Sequence, residues 1–525
     1  MHSPGNVKVG ESLAEFSSGD GIAQDDLDMQ RLGKKQELKR NFRFPSILGF
    51  TLSLMATWES IMLYDTRGST YGLINGGRGG MVYVYIGSFI GFFSTVISMA
   101  EIASYAPTSG GQYHWVSEFA DARTQRFLSY MAGWLSVLGW QAAFASISFL
   151  CGTLIQGLLV LNYSDPSAGY VYQSERWHGT LLTMAVACIG TIVNTFGASY
   201  LPLLEGFILA VHILGFIVIL VALWVTGTPA TAGAVWTEFK DSGGWPNLRL
   251  SCLVGQLTPI FSFLGPDAAT HMAEEIKDAS RIVPLCMVST ALVNGSLGFI
   301  MLITFLYTMG SVESVLKAPS GFAFVSAFHN ATGSNAATTG LASIILVLEV
   351  CSAISILATA SRQTFAFARD NALPFSRVFA YVPRRSQIPI YSILITTLIT
   401  ALLSLINIGS TAAFNAVASL AIGSLFMTYL FAIGCFIGAR IRSGHLPRAR
   451  FSLARFGLPI NVFALAYLSF AIIFTFFPTT HDVTPVSMNW SILVLGAVVI
   501  FAVVQYVTHG HRIYQAPVSR VQKLQ

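Results

Sequence analysis

The sequence predicts an all-α, polytopic membrane protein with about twelve transmembrane helices. Three observations predict it. Hydrophobic residues make up 53% of the 525-residue chain and charged residues 10%, against about 25% charged in soluble proteins, and mean hydropathy is +0.62. Apolar runs long enough to cross a bilayer, about 20 residues each, recur at 47–66, 80–104, 127–161, 179–198, 201–226, 250–276, 283–310, 338–368, 388–407, 409–438, 458–478 and 489–509. Lysine and arginine gather in alternate loops, as cytoplasmic loops do: 24 of the 30 fall in the two tails and in loops 2–3, 6–7, 8–9 and 10–11.

That asymmetry places both termini in the cytoplasm and leaves Arg67, Arg78, Arg176, Lys240, Arg249 and Lys317 outside. Asn162-Tyr163-Ser164 and Asn330-Ala331-Thr332 are sequons in the outer loops, so Asn162 and Asn330 are expected to carry glycans. Asn294-Gly295-Ser296 lies inside a span. The third and eighth runs exceed the bilayer thickness and are read as tilted or extended.

Residues 1–46 read as a cytoplasmic tail, disordered by composition. It has an acidic patch (Asp25, Asp26, Asp28) followed by a basic one (Lys34, Lys35, Lys39, Arg40, Arg43), and no cleavable leader. The core is expected over 47–440, two peripheral helices with their preceding loop over 441–510, and a cytoplasmic C-terminal tail over 511–525. The net charge of +5 reports these loops and not a nucleic-acid partner. The six cysteines have no metal-ligand spacing; they read as small buried apolar residues, and no metal or cofactor is expected.

The sixth run is the informative one. Leu264-Gly265-Pro266-Asp267 interrupts it: proline removes an N–H and pushes its predecessor out of the helix, and glycine takes conformations other residues avoid. Gly-Pro-Asp also reads as a fresh helix start. Non-helical backbone at membrane depth survives only against protein or a water-filled cavity. Phe261, Ser262, Phe263, Leu264, Gly265 and Asp267 are therefore candidate binding residues, against the alternative of a proline-kinked structural helix. The first run repeats the theme more weakly, with Thr57-Trp58-Glu59-Ser60 placing an acid deep in apolar sequence and no glycine or proline to break it. Interrupted helices five spans apart point to a transporter built from inverted repeats.

Charges at membrane depth cost about 2.5–3.5 kcal/mol each on insertion scales, so Glu59, Asp267, Glu349 and His212 call for a reason. Glu59 is a partner for a substrate ammonium, a proton site or half of an internal pair. Asp267 is functional, caps the second half-helix, or does both. Glu349 and His212 suit structural or proton-network roles. Glu59, Asp267 and Glu349 are the proton-coupling candidates. Trp58, Phe261, Phe263 and, on span three, Trp140 supply ring faces for a cation. Because no lysine or arginine lies deep in any span, the substrate's own cation is an expected partner for Glu59.

Three stretches resemble the amino acid–polyamine–organocation transporters. Glu101 to Trp115 contains Pro107-Thr108-Ser109-Gly110-Gly111-Gln112-Tyr113-His114-Trp115 and is similar to the family's loop after span two. Phe261 to Asp267, with Glu274-Glu275 and Arg281-Ile282-Val283-Pro284, is similar to its sixth helix. Ser361-Arg362-Gln363 with Ala368-Arg369-Asp370 and Pro374 is similar to the end of its eighth. The Ser-Gly-Gly-Gln-Tyr-His-Trp form is nearest the fungal choline/GABA/amino-acid permease branch.

The resemblance implies ten core helices in two inverted repeats, about 47–226 and 250–438. It implies alternating access around a midplane site between spans one and six, with Thr57, Trp58, Glu59, Ser60, Trp140 and Ser355 beside the span-six residues. Gly110, Gly111, Tyr113 and Trp115 become a cytoplasmic gate or packing element; the loop lacks the lysine and spacing of a phosphate cradle. The family usually carries small residues where this chain has Trp58 and Glu59, which favours a cationic or distally charged substrate.

The expected function is secondary active import of a small amine-containing solute (amino acid, GABA or choline-like), coupled to protons, in the bilayer of the plasma membrane. A nutrient sensor without flux and an amine exchanger are the alternatives. The ten histidines are scattered and no nucleotide-binding loop is present, so neither an enzyme nor a primary pump is expected.

Overall fold

A computed structural model describes residues 20–63, 71–163, 171–317, 319–384, 386–409, 413–443, 449–485 and 487–517. Arg67 and the serine of the first sequon, Ser164, lie outside them. Among the described residues, eleven helices are long and apolar enough to cross a membrane. They follow the expected runs closely: Gly77–Tyr105, Gln125–Tyr163, Arg176–Phe196, Leu201–Thr226, Ala279–Thr308 and Asn335–Arg369 are spans two to five, seven and eight. Spans nine, ten and eleven include Ile390–Ser404, Ala413–Ser443 and Gly457–Thr475, and the last begins as Ser491–Gln505.

The sixth run is absent from that set because it is in pieces. Leu248–Gly255 and Leu257–Ser262 lead to the break, and Ala268–His271 with a short turn at Ala273–Glu275 follows it. Gly265 takes φ +117°, and an added Cβ there would lie 2.4 Å from Leu54 Cδ2. Only glycine meets both demands. Span one is broken as well. Phe44–Met55 and Thr57–Leu63 are separated by Ala56, which sits at φ 41°, ψ 47°. The interruption needed neither glycine nor proline; a left-handed alanine makes it, a conformation that costs a non-glycine residue about 1–2 kcal/mol.

The two breaks touch. Thr57 Oγ1 donates to the Ser262 carbonyl at 2.8 Å, and Ser352 Oγ on span eight donates to the Leu54 carbonyl at 3.0 Å. Phe263 is held by ring contacts to Tyr85 and Phe92 of span two, at 4.9 and 5.9 Å between centroids, and Phe92 stacks in turn on Phe426 of span ten. At the opposite end from the N-terminus, strands β1 (Asn75–Gly76) and β2 (Lys240–Asp241) pair antiparallel, joining the segment after span one to the segment before span six.

The outer helices face away from this core. Phe196, Leu203, Val225, Leu402, Ile473 and Leu493 are all exposed, apolar surface that suits hydrocarbon and not water. Two readings of the sequence need correction. Cys188 is exposed and Cys252, Cys351 and Cys435 are half-buried; Cys151 and Cys286 alone are buried.

The N-terminal tail, expected to be disordered, is folded over its described part, 20–46; residues 1–19 lie outside the described residues. Asp20–Arg31 is a helix, and Asp25, Met29, Leu32, Leu38 and Phe42 are buried. Phe42 exchanges backbone hydrogen bonds with Glu275 and Lys277, at 3.0 and 3.1 Å. Arg31 donates to the Tyr105 carbonyl, Gln36 to the Glu274 carbonyl at 2.7 Å, and Lys34 Nζ lies 3.4 Å from Asp370. Composition misled here because the polar groups find partners in the helix ends of spans two, six, seven and eight.

Candidate functional site

A small cavity opens where the two broken spans meet. Leu54, Met55 and Ser60 of span one line it, with Phe261, Leu264 and Gly265 of span six, Trp140, Ala143 and Ile147 of span three, Ser352 and Ile356 of span eight, and Leu425 of span ten. Its volume is about 30 Å³, room for about one or two waters. An amino acid does not fit until the walls move. No lining side chain is ionisable; two hydroxyls, two aromatic rings and the backbone at the breaks supply the polarity. Half-helix ends leave N–H and C=O groups without intrahelical partners.

Five of the expected substrate residues are thus brought together: Ser60, Trp140, Phe261, Leu264 and Gly265. Seven do not line the cavity. Thr57 Oγ1 is spent on the Ser262 carbonyl across the breaks, and Ser262 Oγ on the Pro259 carbonyl. Trp58 is fully buried against His212 and Phe216. Phe263 packs among the aromatics of span two. Ser355 donates to Glu205 at 2.8 Å, as Ser53 does at 3.0 Å. The cavity-facing residues of span eight are instead Ser352 and Ile356, one turn apart. Ala143 and Ile147 were missed, yet they lie at i+3 and i+7 from Trp140, the spacing of one helix face.

Glu59 turns away from the cavity. Its Oε1 accepts from His212 Nδ1 of span five at 2.7 Å. That pairing replaces the substrate cation that the absence of a deep lysine or arginine had suggested. Ser60, next to Glu59 in the chain, donates to the third deep acid, Glu349 Oε1, at 3.4 Å. Asp267 does not cap the half-helix after it. Its carboxylate accepts from Gln112 Nε2 at 2.7 Å and from Tyr429 OH of span ten at 2.8 Å.

The Gly-Gly loop packs against span six on the side that carries the N-terminus. Gly111 sits at φ +53°, where an added Cβ would approach His271 Cε1 to 2.8 Å. His271 Nδ1 meets the Ser109 carbonyl at 3.0 Å, which makes that nitrogen the donor, and Nε2 then accepts from Trp140 Nε1 at 3.0 Å. Gly110 packs on its own loop's Tyr113 ring. Tyr113 OH donates to the Ala366 carbonyl at 2.9 Å and lies 2.8 Å from Asp370, and Trp115 Nε1 donates to the Ala106 carbonyl at 3.0 Å. Beneath them Arg369 grips Glu274 with two bonds of 2.9 and 2.7 Å, Ser109 Oγ adds a third at 2.6 Å, and Arg362 holds Glu275 at 2.8 Å. Asn162 and Asn330 end span three and the helix Ala323–Thr332; Asn162 Nδ2 donates to the Leu158 carbonyl and to Thr339.

Known sequences show the family to which the chain belongs. The family model described as amino acid permease matches residues 42–499. A relative in Macrophomina phaseolina whose name places it among amino acid/polyamine transporters is 31% identical over 85% of this chain and 96% of its own length. Amino-acid permease 2 of Neurospora crassa is 27% identical over 99% of this chain and 94% of its own length. The choline transporter of Saccharomyces cerevisiae is 26% identical over 91% and 83%. With nearly the whole bundle inside the matched region, the chain belongs to the amino acid permease family and is a multi-pass membrane transporter, not an enzyme.

Proposed function

We propose that this chain imports a small amine-containing solute (an amino acid, GABA or a choline-like molecule) by alternating access, as a proton-coupled secondary transporter of the plasma membrane. Its core is then two inverted five-span repeats, with the end that carries Asp25 facing the cytoplasm. The observation that carries the reading is the cavity formed by both broken spans, lined by Ser60, Ser352 and the backbone around Gly265.

The ligand chemistry follows from that lining. With no charged side chain on the wall, an ammonium is read by carbonyls at the half-helix ends and by the faces of Trp140 and Phe261; a carboxylate, where present, is read by N–H groups at a half-helix start. The relatives' names, amino-acid permease and choline transporter, share the cationic amine. The lysine and arginine asymmetry supports the orientation.

The test is counterflow in proteoliposomes holding the purified chain, with labelled choline, GABA and an amino-acid mixture as probes. Exchange of at least one probe, competed by its unlabelled form, is expected. A wild-type protein that moves none of them overturns the reading and favours a sensor of the same fold. Uptake that needs external sodium and ignores a protonophore overturns the proton coupling.

A further inference from the structure

Glu59, His212 and Glu349 come from spans one, five and eight and meet at membrane depth, all fully buried. Glu59 Oε1 and His212 Nδ1 are 2.7 Å apart, and Ser60, the chain neighbour of Glu59, donates to Glu349 Oε1 at 3.4 Å. Three polar atoms of the trio, Glu59 Oε2, Glu349 Oε2 and His212 Nε2, are buried with no hydrogen-bond partner. Among the described residues no lysine or arginine is paired with either acid. Ser60, which bonds Glu349, also lines the cavity.

We infer that these three side chains form one proton-binding site, filled with two protons while the protein is closed and releasing one of them through Ser60 into the cavity when water enters. The inference rests on the transport reading for its role in coupling. Charge balance sets the number. With both carboxylates ionised and the imidazole neutral the cluster carries −2, and a buried charge without a partner is costly. Two protons bring it to zero: one makes His212 the cation that faces Glu59, and the other makes Glu349 a neutral acid. When water reaches Ser60, the Glu349 O–H bond breaks, its electron pair stays on the carboxylate, and the proton leaves on water. The cluster is then at −1 and takes a proton back before it can close.

Other titratable groups around the trio are accounted for. Cys151 of span three and His329 of the helix Ala323–Thr332 lie on neighbouring elements. Glu205, two turns from His212 on span five, is held by Ser53 and Ser355. Tyr85 of span two donates to the Gly295 carbonyl, and Cys286 of span seven bonds Thr51. None of them supplies a fixed positive charge.

The experiment has two arms. Infrared difference spectra of the purified full chain in nanodiscs, across an acid-to-alkaline step, report the C=O stretch of buried protonated carboxyls. The band is expected to lose intensity in Glu349→Gln, to persist at a shifted position in Glu349→Asp, and to move in His212→Gln, which can donate to Glu59 but cannot become a cation. A band unchanged in all three variants overturns the site. In proteoliposomes, the ratio of proton-gradient-driven accumulation to counterflow of labelled choline or amino acids is expected to fall about tenfold in Glu349→Gln; an unchanged ratio overturns the coupling role. If the wild type moves no probe, the transport reading falls, and the infrared arm still decides the proton site.

Discussion

The Asp25 carboxylate caps the helix that begins at Ala279, its two oxygens accepting the N–H groups of Asp278 at 2.8 Å and Ala279 at 2.9 Å. An acid at this position satisfies orphan donors and opposes the helix dipole. Removing such a cap costs about 0.5–2 kcal/mol. In Asp25→Ala, residues 20–43 are expected to be cleaved faster by added protease in detergent, with a lowered melting temperature. Arg40, 3.6 Å from the same carboxylate, loses its acidic partner but keeps the carbonyls of Ala273 and Ile276, and Arg40→Ala, which removes both kinds of contact, should shift cleavage in the same direction. An unaltered cleavage rate in Asp25→Ala means that the segment is held without the cap.

Gly110 and Gly111 make different demands, although they are adjacent in one motif. Gly111 combines φ +53° with a Cβ position 2.8 Å from the His271 ring, whereas at Gly110 a Cβ meets Tyr113 at 3.0 Å with no positive φ required. Gly111→Ala therefore adds backbone strain to overpacking, each about 1–3 kcal/mol. Surface expression with impaired transport is expected for a bulky residue at Gly110, and a loss of folded protein for Gly111→Ala. Equal behaviour of Gly110→Ala and Gly111→Ala in expression and melting temperature would contradict this.

Arg369 and Glu274 form a two-bond pair with the carboxylate fully buried. Breaking such a pair from one side leaves an uncompensated charge and costs about 3–5 kcal/mol. Arg369→Ala should destabilise more than the double change Arg369→Ala with Glu274→Gln, because the second substitution removes the stranded charge. A thermal-unfolding cycle of the four proteins checks the order; a double variant less stable than Arg369→Ala refutes it.

The sequence made the spans legible because hydrophobic length is a one-dimensional property. It made the span-six break legible because Gly265-Pro266 is a chemical interruption. It could not locate Ala56 as the hinge of span one, since alanine reads as the best helix former and only packing holds it left-handed. The deep acids were found, but their partners were not: His212 sits 153 residues from Glu59 and Gln112 155 from Asp267, separations that no periodicity reports. The N-terminal segment was misread for the same reason, as its polar residues are satisfied by distant helix ends. Ser355 was named and Ser352 missed because the two, three positions apart, lie only about 60° apart around a buried helix in the same hydrophobic context.

Trp140 has two functions that can be separated. Its ring lines the cavity, and its Nε1 donates to His271 Nε2 at 3.0 Å, tying the cavity wall through His271 to the Ser109 carbonyl of the Gly-Gly loop. Trp140→Phe keeps most of the wall and removes the bond, leaving His271 Nε2 unsatisfied at a cost of about 1–3 kcal/mol. The closed form loses this contact, and an opened form with His271 hydrated does not, so the substitution should favour opening. Counterflow of a labelled amine is expected to continue in Trp140→Phe, and a cysteine placed at Gln112 should react faster with a water-soluble thiol reagent than in the same background with Trp140 intact. Trp140→Ala removes the ring as well, and the half-saturation concentration for a cationic amine should rise by about 5- to 30-fold, the effect of 1–2 kcal/mol of lost cation–ring contact. Equal half-saturation in Trp140→Phe and Trp140→Ala would show that the ring does not touch the substrate, and unchanged labelling at position 112 would show that the bond to His271 does not hold the loop.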